Sequence, residues 1–251
     1  MQIESFGITD VGRQRQHNED AYLVDDDTSL YLVADGMGGH AAGEVASKIA
    51  TEAILEFITH TIEDDGTWPH AYDENYSRNT NRLLSALRIA NTRVIDAMKK
   101  DARLRGMGTT VVACLIDGSN ASIAHVGDSR GYLIRDDQMS RITSDHSWVF
   151  EQVQAGMLTE AEAEKHPLRN VITRALGGGS NVVPDASEIE LREGDRFLFC
   201  SDGLTGMVTE DNILRTVIEC ETLEDAGHRL IEQANEQGGQ DNITVVLIAA
   251  S

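Results

Sequence analysis

Apolar positions change period several times along this chain, and each change marks an element. Short runs at 3–9, 21–24 and 30–34 predict β-strands joined by turns, with Asp25-Asp26-Asp27 in one turn. From 43 to 58 the period becomes helical. Val45, Ala46, Ile49, Ala50, Ala53, Ile54, Phe57 and Ile58 then fall along one side. A second amphipathic helix is expected at about 80–99, with Leu83, Leu84, Leu87, Ala90, Val94, Ala97 and Met98 inward. The polar stretch 61–79, with Trp68, Pro69, Tyr72 and Tyr76, reads as an exposed excursion. Strand signals return at 109–116, 121–126 and 131–135, with Asp117-Gly118 marking a turn between the first two. Residues 145–176 revert to short helical or irregular segments broken by Pro167, and Gly177-Gly178-Gly179 is expected to end them flexibly. Runs at 197–200 and 243–249 read as strands, and 210–219 and 222–236 as helices. Two blocks of helices around many strands, without repeated strand–helix crossovers, predict packed sheets with helices outside rather than a βαβ dinucleotide fold.

The bulk properties narrow the function. The 251 residues can bury a substantial core, and one domain over 1–251 is expected. With 42 acidic against 21 basic residues the formal charge is -21, which argues against nucleic acid and against docking on an anionic membrane. Cys114, Cys200 and Cys220 are odd in number and widely spaced, a poor basis for a disulfide framework or a zinc knuckle. No apolar segment approaches membrane-spanning length, and residues 1–10 show neither a basic nor an apolar signal region. A cytoplasmic enzyme is the simplest expectation.

The chemistry lies in short acidic motifs: Asn18-Glu19-Asp20, Asp35-Gly36-Met37-Gly38-Gly39-His40, Gly127-Asp128-Ser129-Arg130, Ser201-Asp202-Gly203 and Asp241-Asn242. Each puts a carboxylate beside small or turn-forming residues near an apolar run. Alone, any of these aspartates would read as a cap, a turn or a solvated residue. Repeated at strand edges, they suggest convergence on hard divalent cations, which prefer oxygen ligands. Two such ions close together can hydrolyse a phosphate ester. Gly36–Gly39 lacks the Lys-Ser/Thr ending of a P-loop.

In order, the motifs resemble those of the PP2C-type metal-dependent protein serine/threonine phosphatases, in their compact bacterial branch. The matching string runs from Thr9-Asp10-Val11-Gly12, Arg15 and Asn18-Glu19-Asp20 through Val33-Ala34-Asp35-Gly36-Met37-Gly38-Gly39-His40 and Gly106-Met107-Gly108-Thr109-Thr110. It continues with His125-Val126-Gly127-Asp128-Ser129-Arg130, Thr143-Ser144-Asp145-His146-Ser147 and Ile172-Thr173-Arg174-Ala175-Leu176-Gly177. Ser201-Asp202-Gly203-Leu204 and Asp241-Asn242-Ile243-Thr244 close it. The resemblance implies an α+β fold, a four-layer α-β-β-α sandwich of two antiparallel sheets flanked by helices. It also implies a mobile flap at about 145–176, where His146, Trp148, Arg169 and Asn170 are candidates for substrate contact.

By the same resemblance Asp20, Asp35, Asp202, Asp241 and the Gly36 carbonyl hold two Mn²⁺ or Mg²⁺ ions. Asp35 bridges both, and Asp20 mainly anchors coordinated water. Glu19 supports the water network. Asp128 matches a ligand of a weaker third ion, with organisation of its loop as the other reading. Arg15 matches the arginine that grips the substrate phosphate, a role its planar fork of donors suits. Met37 cannot donate a proton, so the leaving-group acid is a coordinated water or His40, which could instead organise the glycine loop. The expected reaction is direct attack of a metal-bridging water on phosphoserine or phosphothreonine in proteins, opposing a bacterial serine/threonine kinase, by a monomer. A regulatory binding module without turnover and a small phosphomonoester hydrolase are the alternatives.

Overall fold

The computed structural model describes residues 1–38, 42–62, 72–163 and 165–251. One sheet contains β1 (Ile3–Asp10), β11 (Ile243–Ala250), β10 (Arg196–Cys200), β7 (Arg130–Arg135) and β8 (Gln138–Arg141), in that spatial order. The other runs β2 (Asp20–Asp25), β3 (Leu30–Met37), β5 (Val111–Asp117), β6 (Asn120–Val126) and β9 (Asp185–Glu190), with β4 (Gly108–Thr109) pairing the end of β3. Every ladder is antiparallel.

Central strands are apolar on both faces because each face meets a different layer. In β3, Tyr31 and Val33 point between the sheets, while Leu30, Leu32 and Ala34 face α1 (Ala42–Thr61) and α2 (Arg78–Lys100). In β10, Phe197 and Phe199 join that inter-sheet core. Leu198 and Cys200 turn instead towards α6 (Glu210–Glu219) and α7 (Leu223–Glu236). Val246 and Ile248 of β11 face inward, and Val245 and Leu247 face those helices. Period-2 alternation thus builds three apolar layers inside a four-layer sandwich, the expected fold class.

Three local expectations need correction. The run 109–116 is two strands, because Thr110 leaves the ladder and its N–H donates to the Asp35 carbonyl at 2.9 Å. Strand β9 was not anticipated: its sequence Asp-Ala-Ser-Glu-Ile-Glu is acidic, as an edge strand can be where one flank meets water. The triple glycine is not loose throughout. Asn91 on α2 accepts from the Gly177 N–H at 2.8 Å and donates to the Gly179 carbonyl at 3.0 Å. The middle of the 61–79 excursion, residues 63–71 with Trp68 and Pro69, lies outside the described residues. Its last part is anchored by the Tyr76 hydroxyl, which donates to the Ala186 carbonyl at 3.2 Å. Residues 145–176 include α3 (Trp148–Gln154) and α4 (Glu160–Ala163). No helix among the described residues is long and apolar enough to cross a membrane.

Candidate metal centre

The acidic motifs meet at one end of the sandwich, where strands of both sheets terminate. Asp20 opens β2 directly opposite Asp35 near the end of β3. Asp202 opens the short helix α5 (Asp202–Thr205) just after β10, and Asp241 sits two residues before β11. Asp128 occupies the turn from β6 to β7. Hydrogen bonds close the gap between sheets: Ser201 Oγ and Thr244 Oγ1 both donate to Asp20 Oδ2, at 2.8 and 2.6 Å. These interactions anchor Asp20, which is 8% exposed. The Asp35 and Asp202 carboxyls are close enough to repel one another.

Gly36 permits the crowding around Asp35. A Cβ there would collide with the carbonyl oxygens of Gly43 and Glu19, so no side chain fits. The Asp35 carbonyl is held by the Thr110 N–H and by Thr109 Oγ1, each at 2.9 Å. Asn242 wires the Arg15 loop to the same end. Its side chain accepts from the Glu19 N–H at 2.8 Å and donates to the carbonyls of Val11 at 3.0 Å and His17 at 2.9 Å. Ser201, Thr109, Thr110, Asn242 and Thr244 were visible inside the motifs, but their supporting roles emerge only from three-dimensional contacts.

Uncompensated negative charge dominates the electrostatics. Burial, then repulsion from Asp20, Asp202, Asp128 and Asp241, pushes the Asp35 carboxyl well above the usual range. Burial lifts Asp20 to about 7, with Ser201 and Thr244 opposing the shift and Asp202 and Asp241 adding to it. Asp128 likewise rises to about 7, through burial and then Asp202. Asp202 is raised by burial and by Asp241, and Glu19 mainly by burial. Glu19 Oε1 is buried without a hydrogen-bond partner among the described residues. Carboxylates forced together, an orphaned buried oxygen and a backbone stripped of its side chain fit hard divalent cations, which supply the missing positive charge.

Arg15 meets the cluster at its rim. Its Nη2 donates to Asp241 Oδ2 at 2.6 Å, yet half its side chain remains exposed. The guanidinium is therefore oriented by the cluster and still open to an incoming anion. His40 lies outside the described residues. Arg169 and Asn170 are exposed, and Trp148 is half-buried against His166, with ring centroids 5.0 Å apart. His146 does not suit substrate contact: at 1% exposure it is packed beneath this segment, beside His125. Cys200 is buried too, with its thiol pushed up to about 12, and offers no ready nucleophile.

The family model for protein phosphatase 2C matches residues 11–247. This chain belongs to the protein phosphatase 2C family. It is similar to the serine/threonine phosphatase stp of Listeria innocua, at 37% identity over 96% of this chain and 93% of that protein. It is also 41% identical to the serine/threonine protein phosphatase PstP of Mycobacterium tuberculosis over 95% of this chain, which spans only 43% of that longer protein. Among solved structures, the catalytic domain of PstP in complex with two manganese ions superposes with a TM-score of 0.83 at 37% identity. The match covers 98% of this chain and 97% of that one. Family membership makes the chain a metal-dependent protein phosphatase, and the acidic cluster is the part of its fold suited to the metal.

Proposed function

We propose that this protein phosphatase hydrolyses phosphoserine and phosphothreonine monoesters in proteins at the cluster built by Asp20, Asp35, Asp128, Asp202 and Asp241. The convergence of these five carboxylates from both sheets carries the reading. Asp35, Asp202, Asp241 and the Gly36 carbonyl would hold two Mn²⁺ or Mg²⁺ ions, with Asp35 shared because it sits opposite Asp20 and among the other carboxylates. When bound, these cations would acidify a water and neutralise charge on the phosphoryl oxygens. Asp20, fixed by Ser201 and Thr244, would orient water, with Glu19 beside it. Asp128, buried beside Asp202, would serve a weaker third cation.

Arg15 would receive the substrate phosphate. Its bond to Asp241 holds the guanidinium at the rim, and its remaining donors can engage two phosphoryl oxygens. Exposed Arg169 and Asn170 on the 145–176 flap would meet the protein substrate. The leaving-group proton would come from water or His40, since Met37 has none to give. A single catalytic domain over 1–251, acting as a cytoplasmic monomer against a bacterial serine/threonine kinase, completes the proposal.

The test is phosphate release from a phosphothreonine peptide by metal-stripped protein titrated with Mn²⁺ and Mg²⁺, beside Asp35→Asn and Asp241→Asn. Metal-restored turnover that both substitutions abolish supports the reading. Folded, metal-loaded wild type without turnover on any phosphopeptide would contradict it and favour a binding module. Turnover confined to small phosphomonoesters would favour the other alternative.

A further inference from the structure

His125, His146 and Asp185 form a second polar cluster, with candidate ligand atoms within 4.8 Å of one another. Its hydrogen bonds argue against a cation there. His125 Nε2 lies 2.8 Å from the Ser144 carbonyl and 3.3 Å from the Ser144 N–H, so the backbone of Ser144 already engages that nitrogen. His146 Nδ1 accepts from the Gly127 N–H at 3.1 Å, so a neutral ring carries its proton on Nε2, facing Asp185 Oδ2 at 3.2 Å. Arg174 already pairs with the other Asp185 oxygen at 2.8 Å. Both nitrogens of His146, Nε2 of His125 and both oxygens of Asp185 are thus already engaged within the protein.

Those bonds converge on the turn that carries Asp128. The His146 N–H donates to the Gly127 carbonyl at 2.9 Å while its ring accepts from the Gly127 N–H, so one residue grips both polar groups of that glycine. Gly127 has φ +110, and a Cβ there would strike Thr110. On the far side of Asp128, Arg130 donates to Asp145 through Nε and Nη2, the latter at 2.8 Å. Adjacent residues 145 and 146 therefore brace both flanks of the turn. The same His146 is tied to the ends of the flap: its carbonyl accepts from the Thr173 N–H at 2.8 Å, and Arg174 holds Asp185. His125 stacks on its ring at 4.8 Å between centroids, fixing the ring plane.

We propose that His146 is the positioning residue for Asp128. Its Nε2–H tautomer, held by Asp185, keeps the Nδ1 lone pair on the Gly127 N–H and fixes the turn that presents Asp128 to the cation cluster. Thr173 holds the His146 backbone and Arg174 holds Asp185, so the flap's far end bears on the same residue. The inference rests on the reading of Asp128 as a cation ligand in the phosphatase site. It explains why a histidine expected on the flap surface is buried beneath it. Removing the ring acceptor leaves a buried N–H unpaired and lets the turn relax; keeping an acceptor at that place does not.

Two variants separate these cases. Asparagine places its amide oxygen close to the position of Nδ1, whereas phenylalanine fills the space without an acceptor. His146→Phe is expected to raise the Mn²⁺ concentration for half-maximal phosphopeptide hydrolysis about tenfold, and His146→Asn to stay within about threefold of wild type. Calorimetric Mn²⁺ titration should show the same weakening in the Phe variant, confined to the weaker ion. In an Asp128→Asn background, His146→Phe should produce no further change. Equal defects in the Asn and Phe variants, or effects that add to Asp128→Asn, would overturn the proposal. Nitrogen-15 spectra of the metal-free protein supply a readout independent of turnover and of any variant's folding. A protonated Nε2 with a bare Nδ1 on His146 is expected at neutral pH. The opposite tautomer or an imidazolium would refute it. A wild type without metal-dependent turnover contradicts the phosphatase reading instead, while the spectrum still decides the tautomer.

Discussion

Metal-free protein should become more stable when Asp128 loses its charge. Asp128 titrates near 3.8 in an unfolded chain and at about 7 here, mainly because burial disfavours the carboxylate and Asp202 repels it. Between those values the native state binds more protons than the unfolded one. Stability is therefore full below pH 3.8, falls as pH rises through the window, and levels off above about 7. A gap of about three pH units corresponds to a penalty on the order of 4 kcal/mol at about pH 7.5, and about 1 kcal/mol at about pH 4.5. Asp128→Asn removes the charge but also weakens a hydrogen bond to the backbone, so a net gain of about 2–3 kcal/mol is expected. For a chain of this size that raises the melting temperature by about 5–10 °C in EDTA at about pH 7.5, and by far less at about pH 4.5. Saturating Mn²⁺ should erase the gain, because bound cations compensate the carboxylate in the wild type. Thermal melts followed by circular dichroism at both pH values, with EDTA or Mn²⁺, read this out. An Asp128→Asn protein that melts at or below the wild type in EDTA near neutral pH would refute the reasoning.

Other perturbations should separate the parts of the site. Arg15→Ala should raise KM for a phosphopeptide and lower kcat while the affinity for Mn²⁺ in calorimetry stays near wild type; Arg15→Lys, lacking the planar fork, should recover only part of the loss. Asn242→Ala deletes three hydrogen bonds at a buried position and should lower stability by about 2–4 kcal/mol in a urea melt, with activity falling in parallel. Gly36→Ala should abolish turnover or folding, because its methyl group meets two backbone carbonyls; a soluble variant with normal kcat would contradict the close approach. Native protein should react slowly with iodoacetamide at Cys114 and Cys200, both buried with raised thiols, and faster at Cys220.

The sequence made the acidic cluster legible because its members recur in short motifs at strand edges. Asp20, Asp35, Asp128, Asp202 and Asp241 could be named before any contact was known. The near-continuous apolar runs likewise announced β3, β10 and β11, where packing against a sheet on one face and helices on the other leaves few polar positions. Other features had no local signature. Strand β9 is acidic and reads as a loop, and only its pairing with β6 makes it a strand. The break at Thr110 depends on the Asp35 carbonyl, 75 residues away in the chain. His146 shows the same limit. Its motif pointed to the flap, but its burial and its grip on Gly127 arise from two segments that meet only in the folded chain.

The most direct test of the cluster is manganese anomalous scattering from crystals grown with Mn²⁺. Two strong peaks are expected, both within bonding distance of Asp35, one beside the Gly36 carbonyl and the other beside Asp202 and Asp241. A well-ordered structure at saturating Mn²⁺ with no anomalous peak among these carboxylates would contradict the metal centre on which the proposed chemistry depends.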